Sequence, residues 1–199
     1  MHTRHPVPGK EQIALLDPFD RLGLDRIHRV HTAAQAERAR TALTASRFWG
    51  LDTESRPTFA KGQESEGPHT VQLSTLEQAW VFQLHDPGCS AVVAELLAHR
   101  GIAKAGFGLG DDRKRIQARL GVDVADILEL NTTLQQRGYR KDLGVKTAVA
   151  VLFQRRFIKS KKAATSNWAQ LQLSEAQLVY AANDAYAAAR VYQALGLAG

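Results

Sequence analysis

Two acidic residues, Asp52 and Glu54, stand two apart where the apolar run at residues 47–54 ends. In a strand, positions i and i+2 leave the same face, so the two carboxylates lie side by side. They repel there, and keeping both ionised needs a strong positive partner such as a divalent cation. A solvated strand end with Thr53 turned inward accounts for the same residues without an ion. A second pair, Tyr180 and Asp184, is spaced four apart in an alanine-rich segment and shares one helix face. A carboxylate on the buried side of such a helix needs a ligand or a hydrogen-bond partner. The plain alternative makes Tyr180 a core residue and Asp184 a surface charge.

Asp111 and Asp112 follow the run Lys104-Ala-Gly-Phe-Gly-Leu-Gly110. That run lacks the Lys-Ser/Thr ending of a phosphate-binding loop, and its glycines have the wrong spacing for a dinucleotide turn. One aspartate is expected to cap the next helix, leaving the other free to hold metal. Arg155, Arg156, Lys159, Lys161 and Lys162 form a basic cluster before the last helix. Phosphate contacts with salt-sensitive affinity are expected there, set against a solubilising charged loop. Phe107 and Trp168 offer stacking surfaces, though core packing is the better reading of an isolated aromatic.

The elements that must position these groups follow from periodicity and punctuation. Strands are expected at residues 47–54, 70–74, 79–84, 102–107 and 124–128. Short links join the first three, which makes them antiparallel, and strand–helix–strand alternation makes the last two parallel. Helices are expected at residues 33–45, 90–100, from Asp111 or Asp112 to about 120, and 174–195, the last opened by a capping box, Ser-Glu-Ala-Gln. The fold class is therefore α/β, a mixed sheet of about five strands flanked by helices. Residues 1–30, rich in proline, histidine and charge, read as a loosely packed N-terminal arm, and 31–199 as a single domain.

Composition sets outer bounds. The chain is 44% hydrophobic and 23% charged, which suits an ordinary soluble domain. A net charge of +6 favours polyanionic partners. Cys89 is the single cysteine, which rules out an intramolecular disulfide and a cysteine-rich zinc site. No stretch reads as a membrane span or signal peptide, so the cytoplasm is the expected location.

Taken in order, the motifs resemble a known family, the DEDD superfamily of 3′–5′ exonucleases in its tyrosine-bearing (DEDDy) branch. Members include ribonuclease D and the Werner-syndrome exonuclease domain. The first motif reads Phe48-Trp-Gly-Leu-Asp-Thr-Glu-Ser-Arg-Pro-Thr-Phe59, the second Lys104 to Asp112, and the third Leu178-Val-Tyr-Ala-Ala-Asn-Asp-Ala-Tyr186. Supporting stretches are Val71-Gln-Leu-Ser-Thr75, Lys159-Ser-Lys-Lys162 and Ser166-Asn-Trp168, and the likeness covers residues 47–195. The resemblance implies an RNase H-like fold and two divalent cations, Mg²⁺ or Mn²⁺. It further implies that Asp52, Glu54 and Asp184 hold the first ion, while Asp52 and Asp112 reach the second. On the same resemblance, Tyr180 is expected to place the attacking water.

The implied reaction trims a single-stranded or frayed 3′ end of DNA or RNA, releasing 5′-mononucleotides. The chain has no room for the extra helical domains of ribonuclease D-like proteins, which leans the reading toward DNA. Rival readings are a non-catalytic nucleic-acid-binding module on the same fold, a ribonuclease D-like RNA-processing enzyme, and an endonuclease related by fold.

Overall fold

The computed structural model describes residues 5–58, 66–140 and 142–198. Residues 1–4 of the segment read as an arm, and Phe59 at the end of the first motif, lie outside them. Six strands form one sheet: β1 (Ile27–Val30), β2 (Phe48–Glu54), β3 (Thr70–Ser74), β4 (Ala79–Gln83), β5 (Ala103–Gly106) and β6 (Ile127–Glu129), in the spatial order β1-β4-β3-β2-β5-β6. β2, β3 and β4 are antiparallel neighbours, with Asp52 opposite Gln72 and Leu73 opposite Trp80. β5 and β6 run parallel to β2, as the strand–helix–strand alternation requires.

The helices are α1 (Lys10–Ala14), α2 (Ala33–Thr44), α3 (Pro87–Ala98), α4 (Leu109–Leu120), α5 (Leu130–Gln136), α6 (Gly144–Phe153), α7 (Lys161–Ala164) and α8 (Glu175–Ala194). They cover both faces, giving three layers and two cores. β2 shows why. Its side chains alternate, so Trp49 and Leu51 join Val71, Leu73 and Phe82 beneath α2, α3 and α4. Phe48 faces the other way, with Val81, Ala105 and the alanines of α8. Buried on both faces, the strand reads as a continuous apolar run until its last three residues.

The expected mixed sheet of about five strands has six, and the additional one comes from the segment read as an arm. β1 pairs parallel with β4, Ile27 opposite Ala79. Four residues with His28 and Arg29 at the centre give too short an apolar pattern to register as a strand. Just upstream, Phe19 and Leu22 are buried. Asn183 in α8 binds both backbone groups of Leu22, accepting its N–H at 2.8 Å and donating to its carbonyl at 3.2 Å.

Candidate active site

Gly50 decides how closely the two halves of the site approach. A Cβ there would lie 1.8 Å from the Ala185 carbonyl oxygen and 2.8 Å from the Ala189 nitrogen, so the α8 backbone rests directly on β2. Ala181, Ala182, Ala185 and Ala189, all fully buried, keep the rest of that contact thin. Two residues beyond Gly50, Asp52 and Glu54 leave the same strand face. Asp184 comes down onto them from α8, and oxygens of the three carboxylates all lie within 4.8 Å of one another. The helix itself is fixed at its start by the expected box, in which Ser174 accepts from the Gln177 N–H and the Gln177 side chain accepts from the Ser174 N–H.

Burial drives the electrostatics. Asp184 is 6% exposed, while Asp52 and Glu54 are half-buried. Burial, with Asp184 and Glu54 beside it, holds the Asp52 carboxyl well above the usual carboxylate range. Glu54 is pushed up to about 8 by burial and then by Asp184. Asp184 is raised by burial in spite of Lys159, Lys146 and the Tyr180 hydroxyl, all of which pull it down. Burial and the Asp184 charge raise Tyr180, so its phenol keeps its proton. Trp168, 1% exposed, packs 6.0 Å from the Tyr180 ring and is a core residue rather than a stacking platform.

Asp112 reaches the site from the opposite layer and is not one of the close trio. Its Oδ1 accepts from Thr53 Oγ1 at 2.5 Å, and Thr53 is the inward residue between the two β2 carboxylates. Burial raises its carboxyl, against the Thr53 hydrogen bond and Arg115. Asp111 points outward, 79% exposed, and pairs with Lys114 at 3.5 Å.

Neither aspartate caps α4, which corrects the sequence expectation. The cap position is Gly108, in a left-handed conformation with φ +69°, and Asp111 and Asp112 lie inside the first turn. The capping group comes from β6. Glu129 accepts the Gly108 N–H at 3.1 Å and the Leu109 N–H at 2.8 Å, and also that of Asn131 at 3.1 Å. One carboxylate thus serves the start of both α4 and α5. Sequence reading missed Glu129; its signal was an acidic residue ending a short apolar strand, the same signal as Asp52. We expect Glu129→Ala to cost about 1–2 kcal/mol of stability. It should also lower the cleavage rate by about tenfold through a loosened Asp112. Thermal melts and initial rates check both, and an unaltered rate would show that Asp112 needs no such anchor.

The basic cluster divides. Arg155 pairs with Asp17 at 2.9 Å, and Arg156 donates to the Ala14 carbonyl at 2.7 Å, so both hold the N-terminal segment. Lys161 and Lys162 are exposed on α7. Lys159 turns instead into the carboxylates: its Nζ lies 2.6 Å from Asp184 Oδ2 and 5.4 Å from the centre of the Tyr180 ring. An ionised carboxylate offers about four lone-pair sites, so the single Lys159 contact leaves Asp184 with acceptor capacity to spare. Buried acceptors of this kind, beside two further carboxylates, fit a hard divalent cation bound through oxygen.

Comparison with known proteins agrees with this geometry. The family model described as "3'-5' exonuclease" matches residues 27–198. A curated "3'-5' exonuclease" of Arabidopsis thaliana is 30% identical over 150 residues, covering 74% of this chain and 52% of the relative. The "Bifunctional 3'-5' exonuclease/ATP-dependent helicase WRN" of Mus musculus is 28% identical over 153 residues, 75% of this chain but 11% of the relative. The chain thus spans about half the length of the first of these and a small part of the second. Among solved structures, the Nibbler EXO domain of Aedes aegypti superposes with a TM-score of 0.74 at 20% identity, covering 89% of this chain and 90% of that one. That likeness concerns the fold alone, a mixed sheet flanked by helices. With a family model spanning nearly the whole chain, this protein belongs to the 3′–5′ exonuclease domain family.

Proposed function

We propose that the chain hydrolyses phosphodiester bonds one nucleotide at a time from a nucleic-acid 3′ end, releasing 5′-mononucleotides. The observation that carries this reading is the trio of Asp52, Glu54 and Asp184, with oxygens within 4.8 Å and Tyr180 one helical turn before Asp184. A module that only binds phosphate gains nothing from clustered negative charge, so the non-catalytic alternative leaves the trio unexplained. Two divalent cations, Mg²⁺ or Mn²⁺, would activate a water and neutralise the leaving 3′ oxygen when bound. Asp52, Glu54 and Asp184 would hold one and Asp52 with Asp112 the other, as the DEDDy resemblance implies.

The chain's own groups do the rest. Tyr180 keeps its phenolic proton through neutral pH, so its Oη can donate to the attacking water and hold it in line. Glu54, adjacent, supplies the acceptor for one of that water's protons. Lys161 and Lys162 on α7 offer exposed charge for the phosphates of the strand behind the 3′ end. The resemblance to the Werner-type domain leans the polymer toward DNA, and recognition of a 2′-OH would reverse it.

Matched single-stranded DNA and RNA, labelled at the 5′ end and digested in parallel with Mg²⁺ or Mn²⁺, test the reading. A ladder shortening by single nucleotides, stopped by EDTA, is expected on DNA. Internal cuts would instead indicate an endonuclease, and a faster ladder on RNA would assign the polymer the other way. Tyr180→Phe keeps the ring against Trp168 and Lys159 but removes the hydroxyl. Its single-turnover rate should fall by about 10²-fold with oligonucleotide affinity unchanged. A matching loss of affinity would make Tyr180 a binding residue instead.

A further inference from the structure

Lys159 occupies an unexpected place. Its position before α7 suggests a phosphate contact, yet its side chain is largely buried against the carboxylates, at 28% exposure beside an Asp184 side chain at 5%. Among the described residues, this is the only ion pair that reaches Asp52, Glu54 or Asp184. Asp184 and Asp52 outweigh burial and hold the ammonium firmly protonated. The Tyr180 ring lies against it. An ammonium held in this way supplies positive charge where a divalent cation fits. One ammonium leaves most lone pairs of the three carboxylates open, so it makes a replaceable partner rather than a locked one.

We propose that Lys159 is the resident counter-ion of the metal-free site, a positioning residue that holds the carboxylates together and that an incoming divalent cation must displace from Asp184. This rests on the exonuclease reading of the same site. Carboxylates brought this close repel one another as they ionise, so the lysine preserves the ligand geometry before metal arrives. The same charge opposes loading, because metal must break the Asp184 contact and then tolerate a cation beside it. Lys159 therefore sets metal affinity, keeping the ligands assembled but weakening the grip. A flexible four-carbon stem suits this role, since the ammonium can withdraw by changing rotamers while α7 stays in place.

Titration calorimetry with Mn²⁺ alone, on the full chain without nucleic acid, reads the effect directly. Lys159→Gln should bind Mn²⁺ about 10-fold more tightly than the wild type, which would be a differential cost of one displaced ion pair. Lys159→Arg, which keeps the charge, should stay within about threefold of the wild type. In the absence of metal the Lys159→Gln protein should melt below the wild type, and saturating Mn²⁺ should close that gap. A purely structural lysine would lower the melting temperature with and without Mn²⁺ and would not tighten binding. Saturable wild-type Mn²⁺ uptake that Lys159→Gln leaves unchanged or weakens overturns the inference and spares the exonuclease reading. No saturable uptake by the wild type removes the metal site itself, and both fall together.

Discussion

Asp52→Asn abolishes hydrolysis, with an expected loss of at least about 10³-fold, and yet leaves the metal-free protein more stable than the wild type. The first half follows from position. Asp52 is the carboxylate with Glu54 beside it on β2, Asp184 above it and Asp112 within electrostatic reach, and the DEDDy resemblance implies that it serves both cations. The second half follows from the same crowding. The amide keeps the shape and removes one of the repelling charges. The sign with pH is fixed. Burial and neighbours raise Asp52, Glu54 and Asp184 in the folded protein, Glu54 to about 8. A carboxyl raised on folding contributes stability that is complete below its ordinary value and is lost as pH rises through the folded one. Without metal, the wild-type melting temperature should therefore fall between about pH 4.5 and 8, and Mg²⁺ or Mn²⁺ should restore it. The advantage of Asp52→Asn should widen over the same interval. Melting curves in EDTA across that range decide the matter. An Asp52→Asn protein less stable than the wild type at pH 8 would refute the repulsion account.

Gly50→Ala should cost at least about 3 kcal/mol and lower the melting temperature by roughly 10 °C, with nuclease activity lost from whatever folds. One methyl group suffices because its position overlaps the Ala185 carbonyl at 1.8 Å, and backbone on both sides leaves nothing flexible to move. The helix must lift, and Asp184, one residue before Ala185, lifts with it away from Asp52 and Glu54. Displacements of about 1 Å at such a site are worth on the order of 10²-fold in rate. Gly110→Ala provides the control. A Cβ at Gly110 meets nothing within 4 Å, and the residue lies inside α4, where alanine is the better helix former. It should melt at or slightly above the wild type and remain active. Equal losses in the two variants would show that the chain tolerates no side chain at either glycine for reasons unrelated to helix packing.

Much of the site was legible because local periodicity encodes it. Spacing of two on a strand put Asp52 and Glu54 on one face, and spacing of four on a helix put Tyr180 above Asp184. Neither requires knowledge of the rest of the chain. That the two pairs meet came from the motif order, since no local rule brings residue 52 to residue 184. The failures share one cause, which is partners distant in sequence. Asp111 and Asp112 satisfied the local signature of a helix cap, but Glu129 already held the helix start from a neighbouring strand. Arg155 and Arg156 were expected to contact phosphate, and in the structure Asp17 and the Ala14 carbonyl engage them. β1 hid in a segment whose composition suggests a loose arm, because four residues paired with β4 leave no long pattern. The ends of the strands were well placed, within three residues at β6, where a short and only half-buried strand gives little contrast.

The division of the carboxylates between β2 and α8 also has a consequence for how the protein is made. Asp184 follows Asp52 by 132 residues, and all six strands precede α8 in the chain. At ordinary rates of translation, roughly 7–26 s separate their synthesis. During that interval the nascent chain can pair its strands and fold much of the core beneath α2, α3 and α4, while the third carboxylate of the trio is still unmade or inside the ribosome. A growing chain therefore carries Asp52 and Glu54 without Asp184, and the trio is complete only after α8 has left the ribosome and docked.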